Sequence, residues 1–249
     1  MTNHGLIFIA PLILIGLAVF AFFRFPRGAR LINELRPKAD PADANSWVIG
    51  PVLPGDAEGG GNQSKNMPLH PTAGDGGGFV IDMPTPESQP HYVTFDHGPL
   101  TGKSRITIKG RIEGGPFFAK DGTSQASLCL YFQRQFDDWA ATIQFADPAD
   151  RSSDLNQNTQ YYRWFATGNA MLPMVAGPFE LTASLTDKWT ALQGGSEDSL
   201  NPHEGAPFFK GAIDNAGQVG FVLGGGDGWG HGIMATAPSK IIVSSFEIA

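Results

Sequence analysis

Leu6 to Phe23 reads LIFIAPLILIGLAVFAFF, eighteen consecutive residues without a charge. At about 1.5 Å of rise per residue, a helix of this length nearly crosses a hydrocarbon core. In lipid every backbone amide must be satisfied within the segment, so helix is the structure open to it. Pro11 falls in the first turns, where a missing amide donor costs least. A cleaved signal peptide would need a basic start and a small-residue cleavage site. Met1 to Gly5 has no Lys or Arg, and the segment runs out through Phe22-Phe23-Arg24-Phe25-Pro26. The expectation is a single-pass anchor over residues 1–25.

Charge divides the chain at this point. Arg24, Arg27, Arg30, Arg36 and Lys38 stand against Glu34, a net +4 over residues 24–38; with −7 for the whole chain, the remainder carries −11. So acidic a domain repels phosphate backbones, and nucleic acid is excluded as a partner. The basic run sits where anionic headgroups of the bilayer would meet it. By the positive-inside rule it places the globular domain in the cytoplasm at an inner or plasma membrane, with a periplasmic or extracellular domain as the alternative. Cys129 is the lone cysteine, so no intrachain disulfide and no thiolate zinc site can form.

Residues 26–78 form the basic stretch and a Pro- and Gly-rich arm, with Gly59-Gly60-Gly61 and Gly76-Gly77-Gly78 and no helical or alternating period. Trp47, Ile49 and Leu53 are apolar anchors that a free linker would not need. They suit an extended chain laid on a surface, that of its own domain or of a partner, and are the candidate partner-binding residues.

From Phe79 to Ala249 the period is two. Ile106, Ile108 and Ile112 alternate with Thr107, Lys109 and Arg111; Leu128, Leu130 and Phe132 alternate likewise. Trp139–Phe145, Tyr161–Ala166, Phe179–Leu185, Val219–Leu223 and Ile241–Phe246 complete the strands. Thirty-two glycines, nineteen prolines and 16% charged residues agree with many turns and few long helices. Roughly 170 residues suffice for one full core. One short helix is expected near Pro207–Ile213, with Phe208, Phe209, Ala212 and Ile213 on one face and Gly217 closing it. The expected fold is all-β: a jelly-roll-like β-sandwich with one short helix, preceded by the transmembrane helix.

The segments FELTASLTDKWTAL (179–192), FFKGAIDNAGQVGFVLGG (208–225) and KIIVSSFEI (240–248) run strand, Trp189, loop, short helix, strand, Gly-rich turn, final strand. That order resembles the jelly-roll sandwiches of the galactose-binding-like superfamily, which includes many carbohydrate-binding modules. The resemblance covers about the last 70 residues. It implies a fold and leaves function open among binders, enzyme appendages and assembly factors.

Gly224 to Gly232 holds six glycines in nine residues. As a ligand loop it would offer Asp227 and His231 as polar groups and Trp229 as a stacking platform; the plainer reading is a turn between sandwich strands. Gly230 to Ala235 fits GxGxxA formally, but Thr236-Ala237-Pro238 leaves no room for the helix a dinucleotide site requires. In Tyr161 to Phe165, Tyr162 and Trp164 share one strand face and are the remaining candidate ligand residues, for sugar stacking or a protein contact. Asp147, Asp150, Asp154, Asn156 and Asn158 lack EF-hand spacing and read as a solvated loop. The adjacent Asp137 and Asp138 point to opposite strand faces and cannot act as paired acids. His70, His91, His97, His203 and His231 are scattered, and no GxSxG, HExxH or P-loop occurs. No catalytic residue, metal or cofactor is expected. The leading expectation is a non-catalytic accessory subunit of a larger membrane complex, respiratory or photosynthetic in type, partnered by other membrane subunits. The alternative is an envelope carbohydrate-binding module.

Overall fold

The computed structural model describes residues 40–50, 64–134, 163–167, 171–191, 209–225 and 230–249. The anchor at 6–23, Leu53, Asp137–Asp138, the Trp139–Phe145 strand, the Asp147–Asn158 loop, Tyr162, Phe208, Asp227 and Trp229 lie outside them. No helix among the described residues is long and apolar enough to cross a membrane. Met1–Lys38 and Ala39–Ala249 are separate compact units.

The second unit is a β-sandwich. The strands are β1 (Trp47–Gly50), β2 (Thr72–Ala73), β3 (Phe79–Met83), β4 (Tyr92–Asp96), β5 (Arg105–Glu113), β6 (Phe117–Ala119), β7 (Ser127–Arg134), β8 (Arg163–Ala166), β9 (Met171–Pro173), β10 (Gly177–Ser184), β11 (Trp189–Ala191), β12 (Ala216–Gly224), β13 (Ile233–Ala235) and β14 (Ser239–Ile248). One sheet has seven strands, β1-β4-β12-β7-β8-β11 with β9 beside β7. The other has five, β10-β5-β14-β3-β2; β13 and β6 form a small pair of their own. Neighbours are antiparallel throughout, and successive strands cross repeatedly from one sheet to the other.

The two sheets differ in how their outer faces meet solvent. In the five-stranded sheet β10 and β14 alternate buried and exposed positions. Outward residues of β5 and β10 pair across the strands, Lys109 with Glu180 at 3.1 Å and Thr107 with Thr182 at 3.0 Å. In the seven-stranded sheet β8 is buried at all four positions and β4 at four of five. Both faces of its middle strands are therefore covered, which is why RWFA and YVTFD show no clean alternation.

The expected arm proves to be part of this sandwich. β1 pairs with β4, Trp47 opposite Phe95 and Ile49 opposite Val93, and β2 pairs with β3. Trp47 is fully buried and Ile49 nearly so. The Trp47 ring lies 4.6 Å from Phe79 and from Phe95 and 5.0 Å from Phe246, bridging both sheets. Its indole N–H donates to the Pro41 carbonyl at 3.0 Å. These two residues thus face their own core rather than a partner, and the sandwich begins well before residue 79. The physical reason is that a Trp in a domain able to accept it contributes more by joining the core than by waiting for a second protein.

The helix is present over 209–214. Ala212 is fully buried, with Phe209 and Ile213 packed against the core. Phe209 closes one end of the sandwich against Phe132, Trp164 and Trp189. Gly217 does not cap it. That residue falls inside β12 at a bulge between Ala216 and Gln218. The last turn is held instead by the Asn215 side-chain amide donating to the Gly211 carbonyl at 2.8 Å.

Candidate functional site

The outer face of the seven-stranded sheet concentrates the polar chemistry of the fold. Register puts Asp96 of β4 beside Gln218 of β12, Gln218 beside Gln133 of β7, and Gln133 beside Arg163 of β8. Side-chain period two places all four on one face, in a row across four strands. Hydrogen bonds link Asp96, Gln218 and Gln133. The Tyr131 hydroxyl donates to Gln133 Oε1 at 2.7 Å, Gln133 Nε2 to Gln218 Oε1 at 2.9 Å, and Gln218 Nε2 to Asp96 Oδ1 at 3.2 Å. Asp96 is exposed and both glutamines are half-buried, so this end of the row meets solvent.

Beside the row, two residues along β7 and on the same face, lies a buried aromatic floor. Tyr131 packs edge-on to Tyr92 at 5.2 Å and against Phe165 at 5.3 Å, and the Arg163 guanidinium stands 5.4 Å over the Tyr92 ring. Burial pushes the Tyr92 hydroxyl above the ordinary tyrosine range, opposed by Arg163 beside it. Cys129 sits on the same face with its thiol donating to the Ala166 carbonyl at 2.9 Å, and burial pushes it up to about 12.

Gly230 and Gly232 pack at the Tyr92 end. Gly230 (φ +73°) and Gly232 (φ +88°) adopt a left-handed backbone that a side chain would strain. A β-carbon at Gly230 would collide with the Tyr92 hydroxyl, and one at Gly232 with the His91 imidazole. The glycines are thus required for close approach to two named rings. His91 is 1% exposed, and neither ring nitrogen has a hydrogen-bond partner among the described residues. Burial first, then Lys120, lowers it to about 4; a Gly230 backbone group near the ring offsets this in part without reaching hydrogen-bond geometry. His231 is exposed and is lowered by partial burial and Lys120. The GxGxxA frame continues into strand β13 and not into a helix.

Of the residues expected from sequence, His231 lies at this loop, one residue from the glycine that covers His91. Trp164 does not join a ligand face. It points into the sandwich, 2% exposed and 4.9 Å from Phe209, because it shares the inner side of the sheet with Phe132 opposite it. Its neighbours Arg163 and Phe165 occupy the outer face instead. Asp96, Gln133, Gln218, Tyr92 and His91 carry no motif that marks them in the sequence; the segments YVTFD and LCLYFQR, rich in aromatic and β-branched residues, are the available signal.

No family model matches the chain, and no curated protein matches it. Two solved structures show a distant similarity. One is Xylanase10C from Cellvibrio japonicus in complex with xylopentaose, at 14% identity and TM-score 0.37, covering 86% of this chain and 28% of that one. This chain therefore spans little more than a quarter of that protein's length. The other is the xylan-binding module CBM15, at 12% identity and TM-score 0.33, covering 84% of this chain and 96% of that one. Likenesses this distant assign neither a ligand nor a site residue here.

Proposed function

We propose that this protein is a membrane-anchored, non-catalytic module that binds a glycan on the outer face of its seven-stranded sheet. The row Asp96, Gln218, Gln133 and Arg163 carries the reading. Side-chain amides and a carboxylate offer donors and acceptors together, and each amide nitrogen has a second hydrogen beyond the one used within the row. Held in place by an aromatic floor, such a row suits the vicinal hydroxyls of a sugar. Its solvent-facing part, Asp96, Gln218 and Gln133, spans two inter-strand spacings, about 10 Å, a length fit for one or two sugar residues. Asp96 is the one carboxylate in it, whereas glycoside hydrolysis needs a facing pair, so the row supports binding rather than bond cleavage.

Trp47 and Ile49, two of the three residues the accessory-subunit reading offered to a partner, are taken up by the domain's own core. The glycan reading asks for a domain facing outward, against the five basic residues between Arg24 and Lys38. Two measurements test it. Full-length protein in detergent is mixed with a panel of polysaccharides that includes xylan, and depletion from solution is followed. Intact spheroplasts are treated with protease. Depletion by at least one polysaccharide and digestion of the domain are the expected results. A protected domain that depletes with none, and migrates with a large membrane assembly on a native gel, returns the accessory-subunit reading.

A further inference from the structure

The hydrogen bonds of the outer row run one way. From β7 to β4 each donor points towards Asp96: the Tyr131 hydroxyl to Gln133 Oε1, Gln133 Nε2 to Gln218 Oε1, and Gln218 Nε2 to Asp96 Oδ1. Backbone holds the Asp96 end as well. The amides of His97 and Gly98 both donate to the Gly217 carbonyl, at 2.8 and 3.2 Å, which pins the β12 bulge beside Gln218.

One end of the row dictates this direction. A carboxylate accepts and cannot donate, so Gln218 must turn its Nε2 to Asp96. Its Oε1 then faces Gln133, which answers with Nε2, and Gln133 Oε1 is left for Tyr131. A hydroxyl both donates and accepts, so Tyr131 follows whichever order it meets. Hydrogen bonds in a chain polarise one another, so a change at one end is felt at the other. Asp96 is exposed, and of its two carboxylate oxygens Oδ1 alone is engaged among the described residues.

We propose that Asp96 is the specificity-determining residue of the row: its carboxylate sets the donor–acceptor order of Gln218 and Gln133 and demands a free hydroxyl donor of the glycan at the β4 end. This rests on the glycan-binding reading and sharpens it. A sugar with an ether in place of that hydroxyl sets two acceptors against each other and is rejected. An amide at position 96 would offer an N–H to the same ether. The preference therefore belongs to the carboxylate and not to the shape of the face.

The test has two arms, both on full-length protein in detergent. In the first, without ligand, the side-chain amide resonances of Gln133 are compared in the parent, Asp96→Asn, Gln218→Met and the double variant. Gln133 stands two strand spacings from residue 96, about 10 Å. Asp96→Asn should move these resonances, and with Gln218→Met already in place it should not. Resonances that ignore Asp96→Asn, or that move equally in the Gln218→Met background, overturn the ordering role whatever the glycan result. The second arm measures retention by xylan, mannan and β-glucan, each native and O-methylated. The parent should hold a native polymer at least tenfold more tightly than its methylated form. Asp96→Asn should narrow that ratio at least threefold, with a melting temperature close to the parent's. The same ratio in both proteins overturns the specificity role and leaves the glycan-binding reading standing. Retention by no polysaccharide overturns that reading and the specificity role together.

Discussion

Gly232 packs against the imidazole of His91, with no room for a β-carbon between them. One residue thereby ties the glycine-rich loop to the end of β4. Replacing Gly232 with Ala forces both a clash and a left-handed backbone on a residue with a side chain. The conformational part alone costs about 1–2 kcal/mol, and displacing a fully packed ring adds to it. Chemical denaturation of Gly232→Ala should show a loss above that range. Adding His91→Ala should recover part of the loss, because the two residues touch and their effects do not add. Strict additivity would mean that the contact is not the cause.

His91 also makes stability depend on pH. Its folded value of about 4 lies below the ordinary histidine value of 6.5, so the unfolded chain binds the proton more readily. Stability is therefore complete above pH 6.5 and falls as pH drops from there towards 4. At about 1.4 kcal/mol per unit, the loss approaches roughly 3 kcal/mol. The difference between parent and His91→Gln in denaturation midpoint should shrink across that window. A difference that stays constant from pH 7 to pH 4 would show that the imidazole does not titrate on unfolding.

Cys129 is buried, donates its thiol hydrogen to the Ala166 carbonyl and is pushed up to about 12. Thiolate is the reactive form. A thiol reagent at pH 8 should therefore modify the native protein at least a hundredfold more slowly than the denatured chain. Rapid native labelling would contradict the packing of this face.

Trp47 separates a core residue from a docking residue. Removing a large buried aromatic costs about 3–5 kcal/mol, so Trp47→Ala should destabilise the sandwich by that amount, seen as a lowered denaturation midpoint. Were Trp47 an anchor for a partner, the isolated domain would keep its stability and only association would weaken.

Legibility of the strands in the sequence depends on which faces meet water. β5, β10 and β14 show alternation because the outer face of their sheet is solvated: Thr107, Lys109 and Arg111 sit opposite Ile106, Ile108 and Ile112. β4 and β8 carry apolar side chains on both faces, so YVTFD gives no period, and in RWFA the pattern does not tell the outward Arg163 and Phe165 from the inward Trp164. The Trp47 strand is hidden by the prolines and glycines flanking it. The glycines of the 224–232 loop signal close approach, but the rings approached, His91 and Tyr92, lie some 140 residues earlier. The row is invisible in one sequence, because Asp96, Gln133 and Gln218 meet only once the register of three distant strands is known.

The central claim is that this row binds a glycan, and a calorimetric titration tests it most directly. A polysaccharide that depletes the full-length protein is titrated into the parent and into Gln133→Ala/Gln218→Ala. Two hydrogen-bonding side chains, at about 0.5–1.5 kcal/mol each, should cost the double variant roughly tenfold or more in affinity. Both side chains are partly exposed, so its melting temperature should stay close to the parent's. Equal affinities in parent and variant, or a parent that binds no polysaccharide on the panel, would contradict the account.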